Sequence, residues 1–348
     1  MALPHVNVDQ LREERYILGE KTLIGLLKDC PQNQTIGDNL VKAWSKINSN
    51  KYSKILCSIS GGSDSDIMLD ICERCDKEGK VEYIWFNTGL EYQATKDHLK
   101  YLEKKYNITI EEKRAEKPIP ICCAKYGQPF LSKQVSEYIS RLQKHNFQWE
   151  DEELDTLLEK YPKCKVALKW WCNAWGDKSK FNIEYNKWLK EFMIMNPPMF
   201  NISNKCCYYA KKLVAKHAKE DCGCDLSIVG VRKAEGGARS SAYKNCFSDN
   251  NGVADEYRPI FWYKNSDKED YEKCYGIVHS RCYSEYGLKR TGCAGCPYGR
   301  DFEKELEIIQ KYEPKLFIAV NNIFGDSYKY TRKYREFCKV MDKKKRNK

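Results

Sequence analysis

Apolar and polar positions along the chain alternate between two spacings. Residues 9–29 place Leu11, Ile17, Leu18, Leu23, Ile24, Leu26 and Leu27 at loose helical intervals, which predicts one or two leading helices. After Lys54 comes a short apolar run, Ile55-Leu56-Cys57-Ser58-Ile59, then Gly61-Gly62, then a stretch to Cys75 with Ile67, Leu69, Ile71 and Cys72 apolar. This reads as strand, tight turn and helix. A second such unit follows, with 81–86 as strand, Asn87-Thr88-Gly89 as turn and 92–105 as helix, and 107–112 supplies a third strand. Strands alternating with helices and short glycine turns predict an α/β fold with a doubly wound, mostly parallel sheet. In such sheets ligands sit beyond the carboxyl ends of the strands. Both glycine turns lie at such ends.

From about 130 to 200 the pattern turns helical and rich in Lys, Glu and Trp, including Trp170, Trp171, Trp175 and Trp188, which reads as a helical insertion. Regular α/β character returns at Leu226-Ser227-Ile228-Val229-Gly230, and 301–342 reads as helices. The expected organisation is N-terminal helices over 1–50, an α/β domain over 51–300 carrying the insertion, and C-terminal helices with a basic tail over 301–348.

Composition narrows the function classes. A chain of 348 residues with 42% hydrophobic residues can bury a substantial core. No run approaches the ~20 apolar residues of a membrane span, and the start MALPHVNVDQ lacks a signal-peptide pattern, so a cytoplasmic protein without a membrane partner is expected. In a reducing compartment the eighteen cysteines are metal ligands, catalytic thiols or buried thiols before they are disulfides. The net charge of +11 favours polyanions, either nucleic acid or nucleotides. Part of it sits in the terminal Lys343-Lys344-Lys345-Arg346-Asn347-Lys348, which reads as a solvated, frayed end.

The turn Ser60-Gly61-Gly62-Ser63-Asp64-Ser65 carries the most chemistry. A strand that ends in glycines and opens into a helix lets backbone N–H groups converge on an anion, with the helix dipole adding positive charge. Ser60 and Ser65 offer hydroxyls, and Asp64 offers a carboxylate to orient a phosphate-bound Mg²⁺. The alternative for the segment is a plain turn. Its context decides, because it resembles the SGGxDS signature of PP-loop ATP pyrophosphatases, in which a Lys often stands where this chain has Ser63.

Four further segments occur in order and resemble the phosphoadenosine-phosphosulfate (PAPS) reductase family, a Rossmann-like PP-loop family. They are Asn87-Thr88-Gly89-Leu90-Glu91, Gly230-Val231-Arg232 with Glu235 and Arg239, Arg258-Pro259-Ile260 with Trp262 and Tyr271, and Gly292-Cys293-Ala294-Gly295-Cys296-Pro297. The resemblance implies nucleotide contacts from residues 60–65, from Asn87, Thr88 and Gly89, and from Arg232 and Arg239. It gives catalytic roles to Asp64, Arg232 and Glu235. Arginine forks suit phosphate or sulfate. Their alternative is surface ion pairing.

Cys206-Cys207 and Cys293-x-x-Cys296 resemble the four-cysteine set that holds a [4Fe–4S] cluster beside the nucleotide in cluster-containing sulfonucleotide reductases; four thiolates also suit zinc. Cys122-Cys123, Cys222-x-Cys224, Cys274 and Cys282 form competing sets, and Cys57, Cys72 and Cys75 read as buried small hydrophobes. The terminal Glu-Cys-Gly-x-His nucleophile of PAPS and APS reductases is missing from the sequence, and Cys338 is the only late cysteine, with basic neighbours that would lower its pKa.

The expected function is therefore ATP-dependent, adenylation-linked sulfur transfer beside the cluster. The acceptor is nucleic acid, a nucleobase or a small molecule, and the donor a protein such as a cysteine desulfurase. The alternatives are PAPS or APS reduction to sulfite with thioredoxin, or a nucleotide- or nucleic-acid-binding sensor that has lost turnover. The insertion's tryptophans suit either nucleic-acid stacking or helix packing.

Overall fold

The computed structural model describes residues 22–236, 242–250 and 253–346. They fall into two compact units, the first within Met1–Asn87, Glu91–Arg114 and Leu213–Gly292, the second within Thr88–Leu90, Ala115–Lys212 and Cys293–Lys348.

The first unit is built on a six-stranded sheet of order β3-β2-β1-β4-β6-β5, with β1 Ile55–Ile59, β2 Val81–Asn87, β3 Ile110–Arg114, β4 Leu226–Val229, β5 Phe247–Ser248 and β6 Asp255–Tyr257. All pairings are parallel except the short β5–β6 edge. The fold is the expected α/β class with a mostly parallel sheet. β1 reads as a nearly continuous apolar run, interrupted only by the partly buried Ser58, because it lies at the centre of the sheet. Its flanking helices Gln34–Ile47 and Ser63–Cys75 contribute Ile36, Leu40, Ala43, Ile67, Leu69 and Ile71 to one core, where Cys57, Cys72 and Cys75 are also fully buried. Those thiols are the small hydrophobes expected of them.

β3 starts three residues later than its apolar pattern predicts. Asn107, at φ 51°, closes the helix Gln93–Tyr106 in the left-handed region, and an asparagine tolerates that conformation. The chain cannot extend until that cap is complete.

Inside the core, the Asp70 carboxylate accepts from Arg74 Nε at 2.5 Å and from the hydroxyls of Tyr106 and Tyr271 at 2.8 Å each. Burial pushes its pKa up, but the Arg74 charge more than offsets this and holds it below the ordinary value. Four side chains from three helices are thereby fixed to one point.

The second unit is helical. Phe130, Leu142, Trp170, Trp171 and Phe192 form its core together with Tyr330 and Tyr334 of the long helix Pro314–Arg346. Trp170 and Trp171 are fully buried, and Trp188 Nε1 donates to Asp342 at 2.8 Å. These tryptophans are packing residues, whereas Trp175 is partly exposed. The basic tail is helical as far as Arg346 rather than frayed, because cations in a last turn interact favourably with the helix dipole. Among the described residues no helix is long and apolar enough to cross a membrane.

Candidate functional site

The strand order reverses beside β1, whose neighbours are β2 on one side and β4 on the other. This is the switch point at which open α/β sheets bind ligands. β1 runs out into the turn 60–65, and β4, paired in register through Ser58↔Val229, runs out into Gly230-Val231-Arg232. The topology alone brings these two segments together.

Gly61 adopts φ +66°, and a Cβ there would meet Thr95 Cγ2 at 2.8 Å, so the turn requires glycine twice over. Ser65 pins it: its hydroxyl donates to the Gly62 carbonyl at 2.8 Å and accepts from Gly62 N–H at 3.1 Å and Ser60 N–H at 3.3 Å. Ser65 is buried and serves the turn's own backbone, while Ser60, more open, bonds the Ser65 hydroxyl at 3.2 Å. The N–H of Ser63 donates to Tyr283 Oη at 3.1 Å, and that hydroxyl also meets Thr291 Oγ1 at 3.2 Å.

Two cations converge on Asp64. Arg232 Nε donates to Asp64 Oδ2 at 2.9 Å, and its Nη1 donates to Asn265 at 3.0 Å. Lys268 Nζ donates to Asp64 Oδ1 at 3.0 Å and to the Ser63 hydroxyl. Burial pushes the Asp64 carboxyl up, but Lys268 and Arg232 together hold it below its ordinary range, so it is an anion at neutral pH. Lys268 was not legible in the sequence: it stands in a run of charged and polar residues, 264–270, with no signal that one of them faces inward.

The charge network continues behind the turn. Glu272 lies 3.6 Å from Lys268 Nζ and 2.8 Å from His279 Nε2, and His279 Nδ1 is 2.7 Å from Asp66 Oδ2. Burial lowers the His279 pKa, but hydrogen bonds to Asp66 and Glu272 outweigh it and raise the imidazole to about 9.

Of the other expected residues, Glu235 is exposed in the turn Lys233–Glu235, and Arg239 lies outside the described residues. Asn87 ends β2 and donates to Glu112 at 2.9 Å. Arg258 is buried over the ring of Tyr243 and bonded to Glu256, Ser248 and the Asn245 carbonyl, a set of partners that shapes the β5–β6 loop.

The second unit holds the expected thiols. Cys206, Cys207, Cys293 and Cys296 are drawn together with Cys123, which was a competing candidate. The Cys206 thiol is raised first by its hydrogen bond with Cys123, and Cys207 by its bond with Cys206. Burial pushes Cys296 up to about 12, with Cys293 and Cys207 adding to it. Thr88 Oγ1 donates to Cys293 Sγ at 3.8 Å, and Ala294 N–H donates to the Leu90 carbonyl at 3.0 Å, so 88–90 backs the Cys-x-x-Cys turn. Gly295, at φ +61°, lies against Tyr328, whose hydroxyl donates to its carbonyl. Among the described residues no three His, Cys, Asp or Glu side chains are arranged to hold a single metal ion. Cys338 packs in the long helix, its thiol 3.5 Å from the Lys187 carbonyl, and burial raises its pKa, contrary to the lowering expected from basic neighbours.

Among known proteins, a family match falls on the first part of the chain and similar solved structures span most of it. No curated protein matches it. Among solved structures it is similar to a phosphoadenylyl-sulfate reductase from Candida auris in a phosphate complex (11% identity, TM-score 0.39, 84% of this chain and 97% of that one). It is also similar to an NH3-dependent NAD synthetase from Campylobacter jejuni (11%, 0.36, 85% and 95%). A third is the U34-tRNA thiolase NcsA from Methanococcus maripaludis with its [4Fe-4S] cluster (12%, 0.37, 88% and 80%). None is similar enough to transfer a residue or an activity. The phosphoadenosine phosphosulfate reductase domain family matches residues 54–161, a segment that contains the turn 60–65 and Asn87, Thr88 and Gly89 but ends before Arg232 and four of the five gathered thiols. Through residues 54–161 the chain is thus similar to the phosphoadenosine phosphosulfate reductase domain family.

Proposed function

We propose that the chain binds an adenosine nucleotide, ATP in preference, on the turn 60–65 and couples adenylation of an acceptor to sulfur transfer. The observation that carries this reading is the convergence of Arg232 and Lys268 on a glycine turn that opens a helix at the sheet's switch point. A helix N-terminus and two cations make a surface for a polyphosphate. Both oxygens of Asp64 are engaged by those cations, so Asp64 positions them, and a Mg²⁺ arriving with the nucleotide would draw on phosphate and water oxygens. Arg232 is the group suited to the charge that develops when an acceptor oxygen attacks the α-phosphorus and pyrophosphate leaves.

The donor set of the second unit, sulfur only, with Cys206 buried and Cys207, Cys293 and Cys296 partly buried, fits an iron–sulfur cluster, which is larger than one ion and does not need a single-ion geometry. Cys206, Cys207, Cys293 and Cys296 would hold it. When bound, it would supply a site for a sulfur ligand or for electrons. The acceptor class is nucleic acid, a nucleobase or a small molecule, in keeping with the +11 charge. The donor class is a persulfide-bearing protein such as a cysteine desulfurase.

The domain match favours a second reading, reduction of PAPS or APS to sulfite with thioredoxin as reductant. Cys338, with its raised pKa, is a poor nucleophile for it. Anaerobically purified protein given ATP and candidate acceptors is expected to release AMP and pyrophosphate, whereas sulfite from labelled PAPS would install the second reading. Protein that neither binds a nucleotide nor forms any of these products sinks both.

A further inference from the structure

The turn Ser60-Gly61-Gly62-Ser63-Asp64-Ser65 contains hydroxyls, amides and a carboxylate but no cation. Phosphate loops commonly join their backbone amides to a lysine ammonium. In this chain the ammonium at the turn comes from Lys268, 204 residues after Asp64.

Its position is built rather than incidental. Lys268 stands on the helix Asn265–Tyr275 one turn before Tyr271 and Glu272 and two before Tyr275, and these share a face at helical spacing. Tyr271 is tied to Asp70, and the ring of Tyr275 lies 3.8 Å from the Arg74 guanidinium, so this face is clamped along the helix Ser63–Cys75. The clamp fixes the register that delivers the Lys268 ammonium to Ser63 and Asp64, at the N-terminal end of that second helix.

As a purely structural ion pair this arrangement is a poor one. A cation at a helix N-terminus opposes the dipole, and Lys268 shares Asp64 with Arg232 and, at 3.6 Å, shares Glu272 with His279. Two cations converging on a helix N-terminus at the end of a strand offer a polyphosphate charge-assisted contacts. We infer that Lys268 is the phosphate-binding lysine of this site, directed at the pyrophosphate portion of a nucleoside triphosphate from a different helix than the one that opens the turn. This rests on the nucleotide-binding reading above and adds to it the residue that distinguishes a triphosphate from a monophosphate.

The test is a binding titration of ATP, inorganic pyrophosphate and AMP against wild type, Lys268→Ala, the length-preserving Lys268→Gln, and Lys268→Ala combined with Ser63→Lys. Loss of one charge-assisted contact should weaken ATP and pyrophosphate about tenfold or more, and AMP by less than about threefold. Placing the ammonium back at position 63 should recover most of the loss, which a strut for Asp64 would not. ATP binding by both single variants at wild-type strength overturns the assignment and leaves the nucleotide reading intact. An equal loss for ATP and AMP, with no recovery in the double variant, also overturns it and makes Lys268 a support for Asp64. Wild type that binds none of the three ligands overturns the nucleotide reading and the assignment together.

Discussion

His279 offers a pH-dependent probe of the network behind the phosphate turn. Its imidazole is held between Asp66 Oδ2 at 2.7 Å and Glu272 Oε1 at 2.8 Å and is raised from 6.5 to about 9. Around it lie those two carboxylates, Lys268 at 3.6 Å from Glu272, and the His98 imidazole, whose Nε2 is 3.1 Å from Asp66. At roughly 1.4 kcal/mol per tenfold change, the raised value corresponds to an upper bound of about 3 kcal/mol favouring the protonated fold. Residual exposure reduces this to the order of 1–3 kcal/mol. The sign follows from linkage: a folded value above the unfolded one gives stability that is complete below about pH 6.5 and is lost as pH rises through about 9. The assay is urea unfolding of wild type and His279→Gln at pH 6, 7.5 and 9.5. Glutamine retains hydrogen bonding but carries no charge, so the deficit of the variant should be largest at pH 6 and shrink markedly by pH 9.5. A deficit that is constant over that range refutes the reasoning, because it would mean that neutral packing and not the imidazolium holds Asp66 and Glu272.

Three further outcomes are expected. Gly61→Ala should lower stability by about 1 kcal/mol or more through a disfavoured φ and a 2.8 Å contact with Thr95, and abolish nucleotide binding; unchanged binding by calorimetry would show that the turn is not the anion site. Asp70→Asn should cost about 3–5 kcal/mol, because it leaves the buried Arg74 charge without its partner, and this would register as a large fall in denaturant midpoint. Cys293→Ser should reduce the iron content and visible absorbance of anaerobically purified protein while leaving ATP affinity within about twofold; an iron content equal to wild type would remove Cys293 from the ligand set.

How much of this could be read in advance depended on how local each signal is. β1, its glycine turn and the helix Ser63–Cys75 are contiguous, and an apolar run, a glycine pair and a helical period within about twenty residues leave little freedom. The set Cys206, Cys207, Cys293 and Cys296 was expected from a family resemblance, whereas Cys123 and Cys122 looked alike in the sequence, and only packing turns Cys123 toward Cys206. Lys268 and the Asp66–His279–Glu272 chain were illegible for a different reason. Each depends on which face of the helix Asn265–Tyr275 meets the core, and that is set by Tyr271 and Tyr275 reaching Asp70 and Arg74 about two hundred residues away. Tryptophan content pointed two ways until burial showed Trp170 and Trp171 to be core. Strand β3 slipped by three residues because the left-handed cap at Asn107 leaves no trace in a hydrophobic pattern.

The placement of β1 between β2 and β4 has a consequence for the chain as it is made. β2 follows within thirty residues, but β4 begins at Leu226, about 170 residues after Ile55. At roughly 5–20 residues per second, a ribosome needs on the order of 10–30 s to supply that partner. For that interval the apolar edge of β1 is open, and Asp70 has Arg74 and Tyr106 but not Tyr271. Nascent chains should therefore be most prone to aggregation, and most dependent on chaperones, between the emergence of β1 and that of β4, and slowing synthesis across residues 114–226 should lower the yield of folded protein.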